Sequence, residues 1–331
     1  MRMWRQTLEY QPVIGYRFIP GIKARVDSPE GGYLIQVNDA GFRCNHDFQK
    51  RKKPGLRRIL LFGDSFTAGD GVPNAKRYGD ILEGQIPHLE VYNFGLPGTG
   101  TDQQYLAYKE YSSDIDHDLL IISVFVENVK RVYAHYRYYQ DEGGRIACYA
   151  KPYFLLENGK LALRNVPPAR QPVEEASLPA SERKMIDRGS RHPGVARVIG
   201  KVGAKRLIQR LIRYQPSPEY GNPRSQAWII LRGILEEWIK NHPRPVLLMV
   251  IPKYQYVEQT ADPSSYQARF SELVADTACA FHDPLADLWK YPMEERRRFR
   301  FSQDEHLTYA GHLALARSML PKVSSLLNGA A

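Results

Sequence analysis

Three short apolar runs, each ending in a turn and each followed by a helical pattern, are the feature that most restricts how this chain can fold. Arg58 to Gly63 reads Arg-Ile-Leu-Leu-Phe-Gly, Leu89 to Gly95 reads Leu-Glu-Val-Tyr-Asn-Phe-Gly, and Asp118 to Val126 reads Asp-Leu-Leu-Ile-Ile-Ser-Val-Phe-Val. Runs that are apolar at nearly every position fit strands buried on both faces. Arg77 to Ile86 and Asp102 to Tyr111 read as the helices between them. Pro245 to Ile251 predicts a fourth strand and Cys279 to Asp283 a fifth, with helices at Ser225 to Asn241, Ser265 to Thr277 and Thr308 to Leu327. Strands alternating with helices predict an α/β fold, a parallel sheet covered on both sides.

The rhythm fails in two places. Residues 1–55 carry turn material at Pro20-Gly21, Pro29 to Gly32 and Asn38 to Gly41, and read as an irregular extension packed on the core. Between the third and fourth strands the segment 135–224 reads as an inserted cap, leaving 56–134 and 225–331 as the core. The cap opens with a hairpin expected from Tyr149 to Leu156 and Lys160 to Leu163 around Asn158-Gly159, a dipeptide suited to tight hairpin turns. A proline-rich polar stretch, Pro167 to Glu182, reads as an exposed linker. Val195 to Tyr214 then places Val195, Val198, Ile199, Val202, Leu207, Ile208, Leu211 and Ile212 near helical spacing, opposite arginines and lysines.

Charge follows the same division. The 331 residues carry 46 basic and 36 acidic side chains, a formal net charge of +10. Between 181 and 213 ten basic residues face only Glu182 and Asp187, so most of the excess sits there. The core is nearly balanced, and an anionic polymer or membrane surface is expected to meet the basic cap, if anything does. No recognition motif accompanies the charge, so nucleic acid is not an expected partner. Cys44, Cys148 and Cys279 are widely spaced and odd in number, which excludes a disulfide framework and the usual zinc patterns. No metal and no cofactor are expected, because no Gly-rich phosphate loop and no paired ligands appear. No apolar run reaches the about 18–20 residues of a membrane span, and Met1 to Gly15 lacks the apolar stretch of a signal peptide. The expected location is cytoplasmic, and periplasmic only for a chain trimmed of a leader.

Function is expected at the carboxyl ends of the strands. The first ends in Gly63-Asp64-Ser65, where a serine hydroxyl can be presented at the start of a helix. Serine is a weak nucleophile unless a base takes its proton. Phe301 to Leu307 offers His306 as that base and Asp304 as the carboxylate that orients it. Gly98, in the turn after the second strand, can aim a backbone N–H at a developing oxyanion. Asn128, after the third, can add a side-chain N–H.

These blocks, in this order, resemble the SGNH family, also called GDSL esterases and lipases. Its nucleophile motif matches Gly63-Asp64-Ser65. Its second-block glycine matches Gly98 after Asn93, its third-block asparagine matches Asn128, and its final pair matches Asp304 and His306. The resemblance covers 56–130 and 240–325. It implies a three-layer α/β/α sandwich of flavodoxin-like topology and an oxyanion hole built from Ser65 N–H, Gly98 N–H and the Asn128 side chain. Two blocks depart from the pattern. Val126-Glu127-Asn128-Val129 stands where Gly-x-Asn-Asp is usual, and Asp304-Glu305-His306 is one residue shorter than the common Asp-x-x-His. Gly41-Phe42-Arg43 looks like the lead-in of bacterial members associated with surface polysaccharides.

The expectation is therefore a serine esterase or deacylase acting on an O-acyl ester, by preference acetyl and carried by a carbohydrate. An O-acyltransferase would share the same acyl-enzyme, and a binding protein with a degenerate site is the non-enzymatic alternative. Candidate substrate contacts are Asp64, Glu127, Tyr133 and Tyr136. The aromatic group from Tyr133 to Tyr139 suits stacking on sugar rings or packing of the cap on the core.

Overall fold

The computed structural model describes residues 7–27, 31–140, 146–188 and 214–329. The basic helix expected at 195–214 lies outside the described residues, Tyr214 excepted.

The N-terminal extension is more ordered than its turn-rich sequence suggests. β1 (Leu8–Gln11) pairs antiparallel with β2 (Gly15–Phe18), and β3 (Lys23–Val26) with β4 (Tyr33–Gln36). Each strand has four residues, the lower limit for a periodic signal. The first turn is closed by a side chain: Gln11 Oε1 accepts from the backbone N–H groups of Val13 and Ile14 at 2.6 and 2.7 Å. Ile14, Phe18, Val26, Ile35, Val37 and Phe42 are buried and anchor the extension on the core.

The central sheet contains β5 (Arg57–Phe62), β6 (Leu89–Asn93) and β7 (Leu119–Phe125). After β7 the chain forms a smaller sheet. β8 (Tyr136–Gln140) pairs with β9 (Ile146–Ala150), and β10 (Tyr153–Glu157) forms a hairpin with β11 (Lys160–Arg164). β12 (Ile186–Asp187) lies parallel to β8. The Tyr149 to Leu156 run, expected as one strand, is thus divided at Lys151-Pro152. Proline has no N–H for a ladder, and Lys151 turns inward to a buried ion pair with Asp102. β13 (Val246–Ile251) and β14 (Ala280–His282) complete the central sheet.

All five central strands run parallel in the order β14-β13-β7-β5-β6. Counted along the core this is the flavodoxin-like order 2-1-3-4-5, with its switch point between β5 and β7. Seven helices matter below. They are α1 (Ser65–Ala68), α2 (Tyr78–Gln85), α3 (Thr101–Tyr111), α4 (Asn128–Tyr133), α5 (Gln226–Lys240), α6 (Ser264–Thr277) and α7 (Tyr309–Gly329).

Alternation along the strands separates two cores. Leu60, Phe62, Leu120, Ile122, Val124, Leu248 and Val250 pack beneath α3, α5 and α6. Ile59, Leu61, Leu119, Ile121, Leu247, Met249 and Ile251 pack beneath α2 and α7. Fully burying each such side chain contributes about 1.5–3 kcal/mol, so burial on both faces holds the sheet between its two helical layers. The β10–β11 hairpin adds Phe154 to the first of these cores. No helix among the described residues is long and apolar enough to cross a membrane.

Candidate active site

Sheets of this order place their sites at the carboxyl ends of the strands beside the switch point, here between β5 and β7, and the expected blocks converge there. β5 ends at Phe62, and α1 begins at Ser65 after Gly63 and Asp64. Asp64 caps this helix: its Oδ1 accepts from Phe66 N–H at 3.0 Å. Its Oδ2 accepts from Arg131 Nη1 at 2.8 Å, and the residue is fully buried. Burial pushes the Asp64 carboxyl up against the pull of Arg131. Asp64, expected as a substrate contact, is instead bonded as a cap that locks the Ser65 turn to α4.

Ser65 Oγ lies 2.7 Å from His306 Nε2. On the other side of the ring, Nδ1 lies 2.7 Å from Asp304 Oδ1. That oxygen also accepts from the His306 backbone N–H at 3.2 Å. It sits off the Nδ1–H direction, so the contact is more an ion pair than a linear hydrogen bond. The one-residue spacer explains this, because a carboxylate only two positions back folds onto both the main chain and the ring of the same histidine.

Charge balance at the ring is uneven. Burial lowers the His306 pKa, but the Asp304 contact and the charges of Asp304, Asp70 and Asp64 outweigh it and raise it to about 9. Partial burial raises the Asp304 carboxyl, yet its bonds to His306 hold it at about 2. The His306 loop is itself closed by Phe301 N–H donating to His306 C=O at 3.1 Å. The Phe66 and His306 rings lie 5.1 Å apart.

The second block is welded to α1. Asn93 Nδ2 donates to Thr67 C=O at 2.9 Å, and its Oδ1 accepts from Gly95 N–H at 2.8 Å. A Cβ on Gly95 would stand 2.3 Å from Ala68 N and 2.7 Å from Thr67 C, so only glycine allows this approach. Gly95→Ala is expected to push α1 and with it Ser65. A misplacement of about 1 Å costs about 10²-fold in turnover. Gly84→Ala, on the open face of α2, should leave ester turnover unchanged; comparing initial rates of the two variants checks this.

Gly98 follows with φ +74°. The groups facing its α-carbon are the Tyr16 hydroxyl and Arg137 Nη2, each 3.3 Å from where a Cβ would stand. Tyr16 donates to Pro97 C=O at 2.6 Å, and Arg137 pairs with Asp187 at 2.7 Å. Asn128 opens α4 and is fully buried, with neither side-chain polar atom bonded among the described residues.

Glu127, beside Asn128, is committed to Lys253, whose Nζ lies 2.6 Å from Glu127 Oε2 and 3.8 Å from Glu305 Oε2. Burial raises the Glu127 carboxyl, but Lys253 and Arg131 reverse this and hold it below its usual range. Lys253 therefore joins the third block to the histidine loop, and Glu127 is not a free substrate contact. Tyr133 packs on the core beneath the cap. Tyr136 lies on β8, where burial and Glu182 raise its phenol. Tyr138 bonds Glu175, and Tyr139 meets Tyr16 edge-on at 5.2 Å. Of this group, Tyr133 and Tyr139 are used in packing.

Arg131, Lys253 and Asp70 also stand at the site, although no motif in the sequence marks them. Arg131 lies one helical turn from Asn128, and Lys253 two residues past the end of β13, the position where functional residues of such sheets gather.

Solved structures similar to this chain include a member of the lipolytic protein G-D-S-L family from Veillonella parvula DSM 2008. It shows 10% identity and a TM-score of 0.42 over 81% of this chain and 99% of that one. The lipase/acylhydrolase from Enterococcus faecalis shows 14% identity and a TM-score of 0.41 over 82% and 96%. The aryl esterase of M. smegmatis shows 13% identity and a TM-score of 0.40 over 82% and 100%. No curated protein matches the chain in sequence. The model of the GDSL-like Lipase/Acylhydrolase family matches residues 61–314, from the end of β5 to the start of α7. That span is well over half of the chain and holds every block described above, and the chain belongs to this family of acylhydrolases.

Proposed function

We propose that the chain is a serine esterase that removes a small O-acyl group, by preference acetyl, from a hydroxylated alcohol such as a carbohydrate. The observation that carries the reading is the 2.7 Å contact of Ser65 Oγ with His306 Nε2, with Asp304 on the opposite ring nitrogen. Ser65 Oγ attacks the ester carbonyl as its proton moves to Nε2. The oxyanion is held by the N–H groups of Ser65 and Gly98 and by Asn128 Nδ2. Collapse expels the alcohol, which takes the proton from Nε2, and leaves an acyl-serine. Water, deprotonated by the same nitrogen, releases the acid.

Two features support the substrate side. Ser65 is only 3% exposed, which favours a small acyl group over a long chain. The Tyr16 hydroxyl and the Arg137 guanidinium lie beside Gly98, so the surroundings of the proposed oxyanion site are polar rather than a lipid-lined channel. An aryl fluorophosphonate should label the wild type once, on Ser65, and should leave Ser65→Ala unlabelled. Peptide mapping of the adduct reads the result, and labelling that persists in Ser65→Ala sinks the assignment. With an acetylated glycan, free acetate supports hydrolysis, whereas acyl gain on a second glycan would redirect the reading to transfer.

A further inference from the structure

The loop after α1, Gly69-Asp70-Gly71, has no part in the triad, yet it holds a carboxylate against the catalytic histidine. Asp70 Oδ2 lies 4.0 Å from His306 Nε2, the nitrogen that bonds Ser65. Asp70 is 7% exposed, and Oδ2 has no hydrogen-bond partner among the described residues. A buried carboxylate oxygen left without a donor is costly, and such groups persist where function uses them.

The loop is braced from the N-terminal extension. Arg43, itself fully buried, donates to Gly69 C=O at 2.9 Å, to Val72 C=O at 2.8 Å and to Asn74 Oδ1 at 3.1 Å. The Arg43 guanidinium also lies over the Tyr33 ring, 5.4 Å from its centre. The Gly41-Phe42-Arg43 lead-in thus acts on the segment that carries Asp70.

We propose that Asp70 is a positioning residue of the reaction: it stabilises the imidazolium formed as His306 takes the Ser65 proton, and the N-terminal extension holds it in place through Arg43. The inference rests on His306 being the base. As the proton arrives, the ring stands between two carboxylates, Asp304 at Nδ1 and Asp70 near Nε2, and Asp70 is the one close to the nitrogen where charge appears. When the alcohol leaves with that proton, the ring is neutral again and nothing is consumed.

Among the described residues the titratable groups around the ring are these, with His312 of α7 also within reach of its charge. His306 faces Asp304 and Glu305 from its own loop, Asp70 from the loop after α1, and Asp64 from the end of β5. Lys253 and Glu127 lie behind Glu305. Asp70 faces His306, Asp304 and Asp64, with Arg43 and the Tyr33 phenol from the extension. Burial raises the Asp70 carboxyl to about 6, and His306 and Arg43 draw it down against Asp304 and Asp64. It is therefore ionised over the range in which His306 loses its proton.

The test reads the His306 ring by NMR titration in the full chain, as wild type, Asp70→Asn and Asp70→Ser, together with the pH profile of kcat/KM on a short-chain ester. Removing the charge should move the His306 midpoint lower by about 1 pH unit or more. The acid limb of kcat/KM should move by the same amount. In the wild type the His306 resonance should shift a second time as Asp70 protonates at about 6, which needs no variant. A midpoint unchanged in either folded variant overturns the proposal, as does the absence of that second shift. The ring titration needs no turnover: if no ester is hydrolysed but the midpoint still falls, the esterase reading fails while the stabilisation of the His306 imidazolium by Asp70 stands.

Discussion

Ser65→Ala and His306→Ala should each lower kcat on a short-chain chromogenic ester by about 10⁴- to 10⁶-fold, and the double variant should be no slower than the slower single one. Groups that act as one unit are lost together, since a serine without its base and a base without its serine are equally idle. The 2.7 Å Oγ–Nε2 contact makes these two side chains such a unit. Asp304→Asn should cost less than the about 10⁴-fold typical of an aligned buried triad carboxylate. Asp304 is half exposed, its oxygen lies off the Nδ1–H direction, and Asp70 remains on the other side of the ring. Initial rates measured above the His306 pKa of about 9 are read with the base neutral in the wild type and in the variants that retain it. Additive losses in the double variant, or full activity in either single one, would remove Ser65 and His306 from the chemistry.

The parallel core was legible because buried strands advertise themselves: β5, β6, β7 and β13 fall within two residues of the apolar runs that predicted them. The four blocks could be read for the same reason, each sitting just past a strand or just before a helix. What the sequence concealed depends on partners far away along the chain. Arg131 meets Asp64 across 67 residues and Lys253 meets Glu127 across 126, and no local pattern marks either pair. These bonds tie up Asp64 and Glu127, which the sequence offered as substrate contacts. The two departures from the family pattern also become physical. Lys253 ties Glu127 to Glu305 where the usual aspartate after the asparagine is missing. The shortened spacer bends the Asp304 contact, and Asp70 lies across the ring from it. The N-terminal hairpins were unreadable because four-residue strands stand at the lower limit at which alternation can be counted, and one of their turns depends on the Gln11 side chain.

Asn128→Ala should separate activity from stability. Loss of one oxyanion donor typically lowers kcat by about 10²–10³-fold, with little change in ground-state binding. Most residues as buried as Asn128 would also destabilise the fold when truncated. Here the balance differs, because Nδ2 and Oδ1 are both buried without a hydrogen bond among the described residues. Keeping such an amide unpaired costs the folded state about 1–3 kcal/mol. Truncation removes that cost while leaving a small cavity, and the two effects oppose one another. The melting temperature of Asn128→Ala should therefore equal or exceed that of the wild type while kcat collapses. Asn128→Asp should be as inactive, since a carboxylate offers no donor to an oxyanion and repels it. Thermal melts and kcat on the same preparations decide the matter. A variant that melts well below the wild type would mean that the amide is satisfied in the folded protein. One that keeps its kcat would mean that the oxyanion is held elsewhere.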